Sequence, residues 1–170
     1  MEIRTARPDE YAALGDLTVA AYLAVDPDGD LGDYADELRD VAGRAAASEV
    51  LVAVGPDGRL LGGVTYVPGP GSPAAEFSHP RGAGIRMLAV APGAQGRGVG
   101  EAHTRACIAQ AVAGGRDRLL LHSTDWMGTA HRLYGRLGFV RDTALDWEPE
   151  PGLWLRGFRL DLDGGDGDGG

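Results

Sequence analysis

The stretch from Ile85 to Glu101, IRMLAVAPGAQGRGVGE, constrains this chain more than any other. Ile85, Met87, Leu88, Ala89 and Val90 form a short apolar run of the kind a buried strand shows. Pro92 and Gly93 end it, because proline has no N–H to give to a ladder. Gly96, Gly98 and Gly100 follow on alternate positions, and an alanine-rich helical segment runs on to about Ala113. A strand, a glycine turn and a helix start together make an anion site. The N–H groups of a first helical turn have no internal partner, and the helix dipole favours negative charge there. Glycines let a phosphate approach the backbone closely. Arg97 adds a planar, always-charged fork suited to phosphate oxygens. The stretch is therefore expected to bind a phosphorylated ligand.

Two familiar phosphate loops fit poorly. A dinucleotide fingerprint follows its strand at once and is answered by an acid at the end of the next strand. Here the glycines come later, alternate strictly, and the next strand ends in His122. A Walker-type loop needs a lysine, and the chain has none.

Gln95, Gly98 and Gly100 do match a Q-x-x-G-x-G pattern, set directly after L-A-V-x-P. This resembles the coenzyme A loop of the GCN5-related N-acetyltransferases, the GNAT superfamily. A second block, Ala130-His131-Arg132-Leu133-Tyr134-Gly135-Arg136-Leu137-Gly138-Phe139, resembles the family's A-x-x-L-Y-x-x-x-G-F signature. The resemblance implies an α/β fold with a mixed, largely antiparallel sheet flanked by helices on both faces. It implies acetyl-CoA as cofactor and direct acetyl transfer to an amine acceptor, a small molecule or a peptide amine.

The resemblance also assigns residues. Backbone groups of Leu88 and Val90 would pair with pantetheine and polarise the acetyl carbonyl, with Ala89 between them also on the cofactor. The N–H groups of Gly96, Arg97, Gly98, Val99, Gly100 and Glu101 would hold the pyrophosphate, with Gln95 also on the cofactor. Tyr134 falls at the general-acid tyrosine, whose phenol stays protonated at neutral pH. Counting the ribosomal-protein branch's spacing back from Tyr134 puts its asparagine at Met127 and its glutamate base at His122; the chain has no asparagine. A histidine changes charge near neutrality and suits a base, though a hydrogen-bonded structural histidine reads the same way. Glu76 and water remain alternatives. A catalytically silent acyl-CoA-binding sensor is the rival to an enzyme, and preference for a longer acyl chain stays open.

Composition bounds the rest. The 170 residues are expected to form one transferase domain over 1–163, with 164–170 a disordered acidic Gly/Asp tail. The net charge of −9 argues against non-specific nucleic-acid binding. No membrane span and no signal-peptide pattern is evident, so a cytoplasmic protein is expected. The one cysteine, Cys107, reads as a small buried filler. Asp26, Asp28, Asp30 and Glu37 faintly imitate a calcium loop, but Leu31 stands at the glycine position. A solvated acidic loop is the better reading, and no metal is expected. With Asp33 and Asp36, these acids could attract a cationic acceptor.

In chain order, a strand at Glu2–Ala6 precedes a helix N-capped by Asp9, with Tyr11, Leu14, Leu17, Thr18, Ala21, Tyr22 and Val25 on its packing side. A second helix is expected over Tyr34–Ala47, and a hairpin over Glu49–Tyr66 turning at Gly55–Gly58. The central strand, Ile85–Val90, is followed by a helix whose stripe is Val99, Ala102, Ala106, Ala109 and Ala113, with His103 on its surface. A strand at Leu119–Ser123, a helix at Gly128–Leu137 carrying His131 on its surface, and strands from Phe139 and Leu153 complete the sheet. Trp147, Leu153, Trp154 and Leu155 belong either to a homodimer surface or to that last strand.

Overall fold

The chain begins with an ion pair that fixes its first turn. Arg4 forks onto Glu10 at 2.9 and 2.8 Å, and Glu10 accepts the Arg7 N–H at 2.8 Å. Glu10, not Asp9, therefore caps the entry, which is one 3-10 turn over Pro8–Glu10. The computed structural model describes residues 1–162; the expected tail lies outside them.

Eight strands make the sheet: β1 (Glu2–Thr5), β2 (Glu49–Val54), β3 (Leu60–Val67), β4 (Gly82–Val90), β5 (Arg118–Ser123), β6 (Val140–Arg141), β7 (Trp147–Glu150) and β8 (Leu153–Asp161). Their order is β1-β2-β3-β4-β5-β8-β6, with β7 also pairing β8. All pairs are antiparallel except β4–β5. β4 starts at Gly82, three residues before the expected strand, and β7 was not expected at all. All four residues of β7 are exposed, so no apolar alternation marks it.

Five helices cover the two faces: α1 (Tyr11–Val25), α2 (Tyr34–Arg39), α3 (Val41–Ala47), α4 (Val99–Ala113) and α5 (Gly128–Arg136). The expected helix over Tyr34–Ala47 is two helices. Asp40 leaves helical geometry at ψ 63 and its carboxylate accepts the Gly43 N–H at 3.0 Å, capping α3. A short acidic side chain that bonds its own neighbouring backbone competes with helix continuation. Inside α3, Arg44 is buried and donates to the Glu37 and Leu38 carbonyls, tying α3 to the end of α2.

Leu14 and Val41 pack with Val50, Val52 and Val54 on one face, and Val19 and Leu38 pack with Met87. On the other face Cys107, Ala111, Leu133 and Tyr134 pack with Val64, Tyr66, Ala83, Ile85, Leu119 and Leu121. Period-2 alternation along each strand sorts these residues to opposite sides. The sheet is thinnest at Gly62–Gly63. A Cβ on Gly62 would meet Val99 at 2.9 Å, and one on Gly63 would meet Leu14 at 2.5 Å. Two adjacent glycines thus let α4 and α1 close onto opposite faces of the same strand.

Gly138 sits past the end of α5 at φ 98, as expected of a C′ residue. Cys107 is fully buried, a filler at the α4–sheet contact. Among the described residues no helix is long and apolar enough to cross a membrane.

Candidate active site

Two strands part beneath the glycine loop. β4 and β5 pair in parallel only from Gly82/Arg118 to Ile85/Leu121. Against β3, Gly63 faces Ala89 but Thr65 faces Arg86, so β4 carries an extra residue there. Such a bulge bends its strand and raises the local twist. Met87 absorbs it at φ 54, a left-handed conformation costing a non-glycine residue roughly 1–3 kcal/mol. Its side chain is buried against Val19 and Leu38, packing that offsets the strain. Past Ile85 the β5-facing edge of β4 has no strand partner, and Arg86 and His122 stand just beyond the last rung.

A cleft of about 400 Å3 lies along this edge. Leu88, Ala89 and Val90 form its floor, and Gln95, Gly96, Gly98, Val99, Gly100 and Glu101 form one wall. Gly96 and Gly98 both take φ 80. Gly98 is the N-cap of α4 and offers no side chain to its first turn. The first helical bond is Ala102 N–H to the Gly98 carbonyl at 3.0 Å. The N–H groups of Val99, Gly100 and Glu101 are therefore unpaired within the helix and face the cleft's end, a fit to phosphate oxygens. Of the residues expected on the cofactor, only Arg97 is off this lining; it is exposed.

The opposite wall holds cations that the motif reading passed over. Arg132 and Arg136 lie one turn apart on α5 and line the cleft. Their i, i+4 spacing inside the second motif was the available clue. Glu101, an acid on an anion site's wall, is drawn to Arg105 at 2.9 Å and lies 3.9 Å from Arg136. Tyr22 and Val25 of α1, with Trp126 and Met127 of the β5–α5 loop, close the sides.

Tyr134 lies beneath the cleft rather than on its surface. Its ring packs on Phe139 and Phe158 at centroid distances of 5.6 and 6.0 Å. Burial, with Cys107 adding, pushes its hydroxyl well above the ordinary phenol value, so it is protonated at neutral pH. The Tyr22 hydroxyl is raised first by burial and then by Tyr34 and Tyr134.

His122 is on the other sheet face and does not line the cleft. Its Nε2 lies 2.8 Å from the Leu145 carbonyl and its Nδ1 3.9 Å from Glu76. Two residues expected to compete for one role are thus neighbours. His103, expected on the helix surface, is fully buried with both ring nitrogens unpartnered. Burial holds its pKa down to about 4, the Gly62 backbone opposing. Of the expected stripe, Val99 is buried and Ala106 packs partly on the core, but Ala109 and Ala113 are exposed; the buried positions are Val99, His103, Thr104, Cys107 and Ala111. His131 is half-buried, bonded to Ser123 at 3.1 Å and tilted against the Phe158 ring at a centroid distance of 5.1 Å. Burial lowers its pKa, while the Thr124 backbone and Asp125 act against that.

Comparison with known proteins agrees with this architecture. A GCN5-related N-acetyltransferase from Kribbella flavida superposes with a TM-score of 0.67 at 22% identity, covering 95% of this chain and 97% of its own. The yncA protein of Salmonella typhimurium, solved with its cofactor acetyl-CoA, gives 0.69 at 21%, covering 96% and 94%. A protein of Corynebacterium glutamicum described as histone acetyltransferase HPA2 and related acetyltransferase gives 0.67 at 26%, covering 92% and 93%. No curated protein sequence matches the chain. The model of the acetyltransferase (GNAT) family matches residues 11–139, most of the chain. The chain therefore belongs to the GNAT acetyltransferase family.

Proposed function

We propose that this protein is an acetyl-CoA-dependent N-acetyltransferase that moves the acetyl group directly to an amine. One observation carries the reading: the glycine-capped start of α4 and the parted edge of β4 meet in a single cleft. When bound, acetyl-CoA supplies an activated thioester. The chain's own contributions follow from its geometry. The first-turn N–H groups of α4 hold phosphate, with Arg132 and Arg136 opposite. The free edge of β4 at Leu88–Val90 offers backbone donors and acceptors to an extended pantetheine arm, and a donor there stabilises charge building on a carbonyl oxygen. Tyr134, kept protonated by burial, is the proton donor to the leaving sulfur. His122 is the base for the acceptor nitrogen. The acceptor enters from the α1–α2 side, where Glu37, Glu76 and Arg86 lie. A cytoplasmic enzyme suits this use of acetyl-CoA, with residues 1–163 as its catalytic domain.

Release of free thiol from acetyl-CoA, measured against peptide N-termini, lysine peptides, polyamines and aminoglycosides, tests the reading. Turnover on one class establishes the enzyme and its acceptor. Micromolar acetyl-CoA binding with no turnover on any of them would favour the silent sensor instead.

A further inference from the structure

At the point where β4 and β5 part, three ionisable side chains converge from three segments. His122 comes from β5, Arg86 from β4 and Glu76 from the loop before β4. A carbonyl only accepts, so the 2.8 Å contact with Leu145 requires the hydrogen on His122 Nε2. The neutral ring then keeps its lone pair on Nδ1, the nitrogen facing Glu76 at 3.9 Å. Glu76 in turn lies 3.3 Å from Arg86 Nε. A second Arg86 nitrogen lies 3.3 Å from Glu37 of α2, and a third donates to the Ala74 carbonyl at 3.4 Å. A cavity of about 10 Å3 is bounded by Glu76, Arg86, His122 and Phe77, roughly the room of one water.

The tautomer is built in from the far end of the chain. Gly157 pairs with His122 across β5–β8, and a side chain there would run into Leu145. Its N–H donates to Asp146 at 2.7 Å, and its carbonyl accepts the Asp142 N–H at 2.9 Å. These bonds seat the Asp142–Asp146 turn so that the Leu145 carbonyl meets the imidazole. Asp146 is itself held by Arg141 and Arg156. The charged groups facing His122 are therefore Glu76 and Arg86, with Glu37 one step behind and the Asp146 cluster beyond Leu145.

We propose that Glu76 and His122 act as one coupled base: His122 Nδ1 takes the acceptor's proton and the Glu76 carboxylate stabilises the imidazolium. Arg86 is a positioning residue, holding the Glu76 carboxylate in place at 3.3 Å. This deepens the transferase reading above and rests on it. In amide formation a C–N bond replaces the C–S bond. The acceptor nitrogen gives one proton to His122, the leaving sulfur gains one from Tyr134, and solvent returns the proton from one residue to the other.

The test titrates the His122 ring by NMR in the full chain and in Glu76→Gln, beside pH profiles of kcat/KM for both. The expected result is a lower His122 midpoint in Glu76→Gln than in the wild type, since a lost carboxylate disfavours imidazolium. The acidic limb of kcat/KM moves down with it, activity falls about tenfold, and acetyl-CoA affinity is unchanged. Glu76→Asp restores part of the midpoint, and His122→Gln loses about a hundredfold or more. An unmoved midpoint in Glu76→Gln overturns the coupling. So does an acidic limb that survives in His122→Gln but vanishes in Glu76→Gln, which makes Glu76 the base alone. Absence of wild-type turnover would instead sink the transferase reading itself.

Discussion

The two faces of the sheet meet at the same parted strands but are built by different means. On the α4–α5 face, the cleft is made mostly of backbone: glycines at positive φ, a helix start without a capping side chain, and a free strand edge. On the α1–α3 face, the apex is made of side chains drawn from α2, the loop before β4, β4 and β5, with one backbone carbonyl from the turn before β7. Backbone sites demand a local conformation and so leave a local pattern. Side-chain sites demand only that distant segments converge, and the same convergence can be reached from many sequences. That contrast predicts where substitutions hurt and where they retune.

The largest effect should come from closing the backbone site. Gly98→Val places a β-branched residue at φ 80 over the phosphate donors. Acetyl-CoA affinity should fall by about a hundredfold or more in calorimetry, with far-UV circular dichroism unchanged. Tyr134→Phe is next: kcat should drop by about a hundredfold at unchanged cofactor affinity. A loss under about fivefold with the fold intact would remove Tyr134 from the proposed chemistry. Arg132→Ala with Arg136→Ala should raise the KM for acetyl-CoA by about tenfold, and the gap should narrow as salt screens the wild type.

Little of the acceptor half could be read from the sequence, and the reasons are physical. The glycine loop and the Leu-Tyr block were legible because each encodes its own backbone geometry. The coupling of Glu76 to His122 was not, since 46 positions separate them and only the fold brings Glu76 between Arg86 and His122. α4 misled for another reason. Its buried side carries His103, Thr104 and Cys107, so an apolar stripe counted along alanines points to the wrong face. The break at Asp40 was hidden because Leu38, Val41 and Ala45 keep helical spacing through it.

His103 gives the comparison a pH handle. Its neutral ring is preferred in the fold, with a pKa near 4 against an unfolded value of ~6.5. Folding is therefore undisturbed by this group above pH ~6.5 and is weakened progressively as pH falls from there through about 4. The full effect is about 3 kcal/mol on the cofactor side of the sheet. In thermal melts over that window the wild type should lose stability relative to His103→Leu, which has no ring to charge. The smallest effect belongs to Leu88→Met. If the strand edge acts through its backbone, kcat/KM should stay within about threefold of wild type; a larger loss would mean the side chain matters.

Gly98 has one more consequence. A helix that begins without a capping side chain begins with loose amides, which a serine or aspartate would have tied down. On the proposed reading the missing cap is supplied from outside, so the ligand completes a secondary-structure element. Amide hydrogens of Val99, Gly100 and Glu101 should exchange at nearly the rate of a fraying helix end in the free protein, and slow by orders of magnitude once a pyrophosphate is seated. The same bonds enter the melting temperature by mass action, rising with each tenfold excess of ligand over its dissociation constant. Desulfo- or dephospho-analogues would then be ranked by how well they finish a helix.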